Sequence, residues 1–145
     1  MPISEAGLIE EVLLDTDALV ALINEEDANH LKAQEVNDRL IKAGVQFIIT
    51  NLVVGETLTV LSRKVDHSVA VKFGFDIKKG EVAIIRVDEA LEETAFEIFE
   101  KQPSKNTSFI DCTNMAVLEK YKWQFIFSFD KVYSQNDYQL AQELV

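Results

Sequence analysis

Basic residues are scarce in this chain: 14 Lys and Arg stand against 25 Asp and Glu, for a net charge of −11. Phosphate contacts rest on Lys and Arg, so the balance argues against a simple electrostatic binder of nucleic acid. Cys112 is the single cysteine, which excludes an internal disulfide and gives no sign of an oxidising compartment. Glycine and proline are sparse, at 5 and 2, and no linker, low-complexity tract or internal repeat interrupts the chain. The longest apolar runs, at 12–14 and 123–127, are far too short to span a bilayer. Residues 1–11 carry Glu5, Glu10 and Glu11 and no basic stretch, so they do not read as a signal peptide. The expectation is one domain over residues 1–145, cytoplasmic and without membrane association, long enough to bury a substantial core.

What is present alternates between two periodicities. Residues 11–15 (EVLLD) read as a short buried strand ending in an acid, because a continuous apolar run suits a parallel strand covered on both faces. Residues 18–24 turn helical, and a second helix starts around 27–30 and continues to Ala43, where Gly44 stops it. A second strand is expected at 45–50 (VQFIIT), followed by a helix capped by Asn51. Residues 66–79 form another helix closed by Gly80, 81–87 (EVAIIRV) a third strand, and Asp88 opens a helix ending near Lys101. After a polar loop at 104–108, residues 109–121 are helical and 123–129 (WQFIFSF) make a fourth strand, again ending in an acid, Asp130. Such alternation implies an α/β fold, with helices on both faces of a mainly parallel sheet of at least four strands. Sites in such sheets form beyond the carboxyl ends of the strands, near a change in strand order.

Four acids fall where that geometry would use them. Asp15 and Asp130 follow strands, while Glu56 (in NLVVGETLTVL) and Asp111 (in SFIDCTNMAVL) lie early in apolar helices. An acid among apolar neighbours is costly to bury unless something pairs with it. Two carboxylates about 4 Å apart repel by roughly 4 kcal/mol at an effective dielectric of 20. No Lys or Arg recurs beside all four acids, so a cation is the natural partner. Hard oxygen ligands suit Mg²⁺ or Mn²⁺, and such an ion suits phosphodiester hydrolysis.

LLDTDALVAL, NLVVGETLTVL, TSFIDCTNMAVLEKY and FIFSFDKVY, in that order, resemble the signature of PIN domains, particularly VapC-type toxins. The resemblance runs from residue 12 to about 133 and implies a three-layer α/β/α fold and metal-dependent endoribonuclease activity. Position by position, it makes Asp15, Glu56, Asp111 and Asp130 the four catalytic acids. Asp15 and Asp111 become direct ligands of Mg²⁺ or Mn²⁺, and Glu56 and Asp130 orient water or hold a second ion. Thr16, Ser108 and Ser128 match small hydroxyl positions around the site, and Asp17 occupies a position where the family often has Asn or Ser; all four are supporting residues. The same resemblance implies an RNA substrate, a small antitoxin partner and a homodimer. One departure is visible: in SFDKVYSQND, Val132 stands where the family more usually has a second acid.

Blander readings compete at each position. Asp15 could be an ordinary strand-end or cap acid, Asp111 a capping residue after Ser108, Asp130 a turn acid, and Glu56 a surface acid. His30 and Cys112 read as structural, and Arg63, Lys64, Lys72, Lys78 and Lys79 as a solvated helix face. Phe73, Phe75, Phe96 and Phe99 read as core or as a dimer surface. Among rival functions, LLDTDALV also resembles the first motif of haloacid-dehalogenase-type phosphatases, with Asp15 as nucleophile. That reading lacks a late acid pair and leaves Glu56 and Asp111 unexplained. A phospho-receiver domain would need Asp88 as phosphate acceptor, although Asp88 looks like a helix cap. A catalytically silent PIN domain serving as a binding module is the third rival; retention of all four acids argues against it.

Overall fold

Continuous apolar runs become strands whose side chains serve both faces of one sheet. In the computed structural model, which describes residues 10–145, β1 is Glu11–Leu14, β2 Gln46–Thr50, β3 Ala83–Ile85, β4 Phe125–Phe127 and β5 Gln139–Leu140. Residues 1–9, most of the stretch read as lacking a signal peptide, lie outside the described residues. The strands pair in the order β3-β2-β1-β4-β5, all parallel.

Alternation along each strand divides the core in two. Val12, Leu14, Ile49, Phe125 and Phe127 pack on one side. There they meet α1 (Thr16–Ile23), α2 (His30–Ala43), α3 (Asn51–Lys64) and α4 (His67–Lys78). Leu13, Ile48 and Ile126 pack on the other, against α5 (Glu89–Glu100), α6 (Phe109–Tyr121) and the short α7 (Val132–Gln135). This is the three-layer α/β/α arrangement that the alternating pattern predicts. No helix among the described residues is long and apolar enough to cross a membrane.

Local chemistry sets most boundaries. Gly44 ends α2 in the left-handed conformation, φ 81°, which a side chain would disfavour. Asp66 caps α4 by accepting from Ser68 N, and Asp88 caps α5 by accepting from Leu91 N. Asp88 is therefore a cap, and the receiver reading has no phosphate acceptor.

Three expectations need correction. The cap of α3 is Thr50, whose hydroxyl accepts from Val53 N at 3.1 Å. Asn51 is the first helical residue, and its side chain instead accepts from Val87 N, tying α3 to the end of the third strand segment. The strands expected at 81–87 and 123–129 are only three residues each. With β5 the sheet has five strands, in keeping with the expected four or more, and a 3₁₀ turn follows at Ala141–Glu143.

From β1 the chain builds outward through β2 and β3, then returns to β4 on the opposite side of β1. Strand order thus reverses between β1 and β4, where the loops that follow them diverge and leave a crevice. Asp15 N donates to Phe127 O at 3.1 Å, extending the ladder to the first residue beyond β1.

Candidate active site

Asp15 leaves β1 and caps α1, and the residue is only 5% exposed. Oδ1 accepts from Thr16 N at 2.9 Å and from Asn114 Nδ2 at 3.2 Å. Oδ2 accepts from Ser128 Oγ at 2.9 Å and from Tyr133 Oη at 3.1 Å. Burial pushes its pKa up to about 7, with the charges of Asp17 and Asp111 adding and the Ser128 and Thr16 hydrogen bonds opposing. The cap role and a site role coincide in one side chain.

Asp17, in the first turn of α1, accepts from Phe129 N at 3.0 Å and lies 3.1 Å from Ser128 Oγ. Its pKa is also raised, chiefly by burial. The single Ser128 proton can serve only one carboxylate at a time, so Ser128 couples Asp15 to Asp17. Ser128 Oγ in turn accepts from Asp130 N at 3.0 Å.

Asp111 divides its two oxygens between tasks. Oδ2 accepts from Ser108 N at 2.9 Å while Ser108 Oγ accepts from Asp111 N at 3.0 Å, a reciprocal capping box at the start of α6. Oδ1 faces Tyr133 Oη at 3.3 Å. Burial raises the pKa of this nearly buried acid, and the charge of Asp130 adds to the shift.

Asp15, Thr16, Asp17, Glu56, Asp111 and Asp130 line one pocket of about 290 Å³, together with Val20, Val60, Asp27, Asn29 and Lys64. Glu56 is half-buried and arrives from α3. Asp130 is exposed at the rim, and its Oδ1 accepts from Val132 N at 2.9 Å, so it is a turn acid as well as a wall of the pocket. Ser108 and Ser128 stand behind the lining as hydrogen-bond braces, and Thr16 receives a further bond from Thr57 Oγ1 at 3.3 Å.

Other sequence readings resolve as follows. His30 Nδ1 lies 2.7 Å from the Ala21 carbonyl and joins the start of α2 to α1 outside the pocket lining. Cys112 is fully buried, and burial with the Asp111 charge pushes its thiol up to about 11, so it is an inert core residue. Lys72 and Lys79 pair with Asp76 on the surface, and only Lys64 of the basic run reaches the pocket. Phe73 is buried, whereas Phe75, Phe96 and Phe99 are exposed.

Sequence reasoning missed Asn114 and Tyr133, which hold the pocket floor, and Asp27 and Asn29 at its wall. Asn114 had a weak signal: a polar residue three positions after Asp111 shares its helix face. Tyr133 had none, because it stands in a largely polar stretch, 130–137, where nothing local marks an aromatic as buried.

The donor set fits a hard divalent cation. Carboxylate oxygens crowd a concave site whose lining includes one cation, Lys64, and burial already disfavours their charged forms. Among the described residues, no three acids stand close enough to make a complete ligand cage. Mg²⁺ does not need one, since it commonly takes one or two carboxylates and keeps several waters.

Comparison with known proteins bears on the family and the fold. The PIN domain family model matches residues 12–137. The 23S rRNA-specific endonuclease VapC20 of Mycobacterium tuberculosis is 33% identical over 124 residues, covering 85% of this chain and 92% of the relative. The crystal structure of that organism's VapC20, described as a sarcin-ricin loop cleaving toxin, superposes with a TM-score of 0.79 at 30% identity. That match covers 88% of this chain and 96% of the other. A toxin-antitoxin complex from Klebsiella pneumoniae matches with a TM-score of 0.57 at 11% identity, over 83% and 87% of the two chains, and speaks to the fold alone. With its acids gathered at the β1–β4 crevice and most of its length matched to that family model, this chain belongs to the PIN domain family.

Proposed function

We propose that this chain is a VapC-type, divalent-metal-dependent endoribonuclease that hydrolyses a phosphodiester bond in structured ribosomal RNA. The observation that carries this reading is the convergence of Asp15, Asp17, Glu56, Asp111 and Asp130 on one pocket at the strand-order reversal. The rRNA target rests on the resemblance to the 23S rRNA-specific endonuclease.

Asp15 and Asp111 would hold Mg²⁺ or Mn²⁺, each already fixed in orientation by donors behind it. Bound there, the ion supplies Lewis acidity toward a phosphate oxygen and toward the attacking water. Glu56, half-buried on the α3 wall, is placed to orient that water and accept its proton. Asp130 shapes the rim, while Thr16, Asp17, Ser108 and Ser128 hold the two ligands in place. Lys64 offers a positive charge to a substrate phosphate. A phosphatase that used Asp15 as nucleophile would leave Glu56 and Asp111, which line the same pocket, without a role.

The excess of acid makes tight nonspecific RNA binding unfavourable and suits a structured target. By the same reading the protein works in the cytoplasm as a homodimer and is neutralised by a small antitoxin. The test is incubation of a 23S rRNA stem-loop with the protein and Mg²⁺ or Mn²⁺. Discrete cleavage by wild type that stops on chelation and is absent in Asp111→Asn is the expected result. Equal cleavage by the variant would overturn the assignment.

A further inference from the structure

Among the described residues Tyr133 is the largest fully buried side chain, and its hydroxyl lies between two acids. Oη is 3.1 Å from Asp15 Oδ2 and 3.3 Å from Asp111 Oδ1, and it accepts from Asn114 Nδ2 at 3.0 Å. Asn114 Nδ2 also donates to Asp15 Oδ1 at 3.2 Å. One amide nitrogen thus holds the tyrosine and Asp15, and one hydroxyl lies between Asp15 and Asp111, while the Asn114 amide oxygen stays buried without a partner among the described residues.

The ring alone would fill this position as a phenylalanine, packed with Leu13, Met115 and Ile126. A buried hydroxyl is costly unless it is bonded, so its presence asks for a use. The neighbouring residue adds to the case. Val132 points apolar surface into the same cluster in a segment where the resemblance leads one to expect a further acid.

We propose that Tyr133 is a positioning residue for the metal ligands, its hydroxyl setting the spacing at which Asp15 and Asp111 face a divalent cation. The role rests on the nuclease reading above. A single O–H donates to one carboxylate at a time, so the hydroxyl holds Asp15 or Asp111 in turn and keeps a neutral donor between the two charges. Held this way, the pair loses less freedom on capturing an ion than two independent side chains would. Residues that orient metal ligands from behind commonly govern affinity by 10- to 100-fold.

The experiment is Mn²⁺ binding by calorimetry to wild type, Tyr133→Phe and Tyr138→Phe, with circular dichroism to verify folding. Tyr138 is the control, since its hydroxyl lies 3.4 Å from the Met115 carbonyl and, among the described residues, makes no hydrogen bond to the acids. Tyr133→Phe is expected to weaken Mn²⁺ binding by about 10-fold or more, and Tyr138→Phe to leave it unchanged. RNA cleavage by Tyr133→Phe should then recover as Mn²⁺ is raised, which cleavage by Asp111→Asn should not. Wild-type affinity in a folded Tyr133→Phe protein overturns the positioning role while leaving the nuclease reading intact. A wild type that binds no Mn²⁺ removes the metal reading itself, and this role with it. If Tyr133→Phe does not fold, Asn114→Ser tests the same set from its other end, with the same expected loss and the same overturning result.

Discussion

The pocket at the ends of β1 and β4 and the outer face of α5 are both dense in carboxylates, and their surroundings differ. Glu89, Glu92, Glu93, Glu97 and Glu100 all lie exposed on α5, interleaved with the exposed rings of Phe96 and Phe99. None of them is in an ion pair among the described residues. Glu89 and Glu92 sit in the first turn, where the helix dipole favours them. The pocket acids instead come from separate elements, are mostly buried or half-buried, and are met by backbone N–H groups and side-chain donors at 2.9 to 3.3 Å. Local acid density is therefore a poor guide to chemistry. Convergence of distant segments, burial and supplied donors distinguish a site from a solvated face.

The largest expected effect separates the two regions by activity. Asp111→Asn should lower RNA cleavage by about 10³-fold, the scale of losing both metal assistance and the proton transfer it organises. The pair Glu93→Gln and Glu97→Gln should leave the cleavage rate within about twofold, because exposed carboxylates far from the chemistry stabilise no transition state. A steady-state rate on a stem-loop substrate measures both. A large loss in the α5 variant would break the comparison.

Stability should separate them in the opposite direction. Asp15 titrates near an ordinary 3.8 when unfolded and at about 7 when folded. Below pH 4 it is protonated in both states and costs nothing. Between those values the unfolded chain ionises first, so folding loses stability as pH rises, by up to about 4 kcal/mol above pH 7. Asp17 and Asp111, also raised, act in the same sense. Metal-free Asp15→Asn should accordingly be more stable than wild type at pH 8 and no more stable at pH 4, as urea midpoints would show. Mg²⁺ should narrow the gap at pH 8 by stabilising wild type. A variant less stable than wild type at pH 8 would mean that the four hydrogen bonds to Asp15 outweigh its desolvation.

These contrasts also mark what could be read in the sequence. The central strands were legible because Val12-Leu13-Leu14 and Phe47-Ile48-Ile49 supply side chains to both faces, a pattern that few other elements require. The cap of α3 was misread because Thr50 and Asn51 are adjacent cap formers, and only the tertiary contact from Asn51 to Val87 N separates them. Strand β5 is two residues long, too short for any periodicity to register. The acids were found through the resemblance and their apolar neighbours, whereas Asn114 offered only its shared helix face with Asp111, and Tyr133 nothing, until the fold brings them to Asp15. Asp15 and Ser128 meet across 113 positions, and no local pattern encodes such a meeting.

A smaller effect tests whether Lys64, the one cation lining the pocket among the described residues, serves the substrate. Lys64 is exposed and lines the acid pocket, so a phosphate contact there is a point charge at a wet site. Lys64→Gln should weaken RNA binding by about 1 kcal/mol and reduce the salt dependence by about one counterion, measured by fluorescence anisotropy between 50 and 200 mM salt. Lys64→Arg should restore the slope. Unchanged salt dependence would reduce Lys64 to a screen against the surrounding acids.

The smallest effect belongs to the α5 face and decides whether its acids are merely tolerated. Glu93 and Glu97 are one turn apart, as are Glu89 and Glu93, and like charges at that spacing cost a helix a few tenths of a kcal/mol each. Glu93→Gln removes both repulsions and should raise stability by roughly 0.5 kcal/mol at low salt. At 1 M salt the Debye length falls to about 3 Å and the gain should vanish. If the gain persists in high salt, it comes from the side chain's packing beside Phe96, not from charge. If Glu93→Gln instead destabilises the protein, these carboxylates hold something on the surface, and the contrast between a working acid cluster and a solvated one would have to be redrawn.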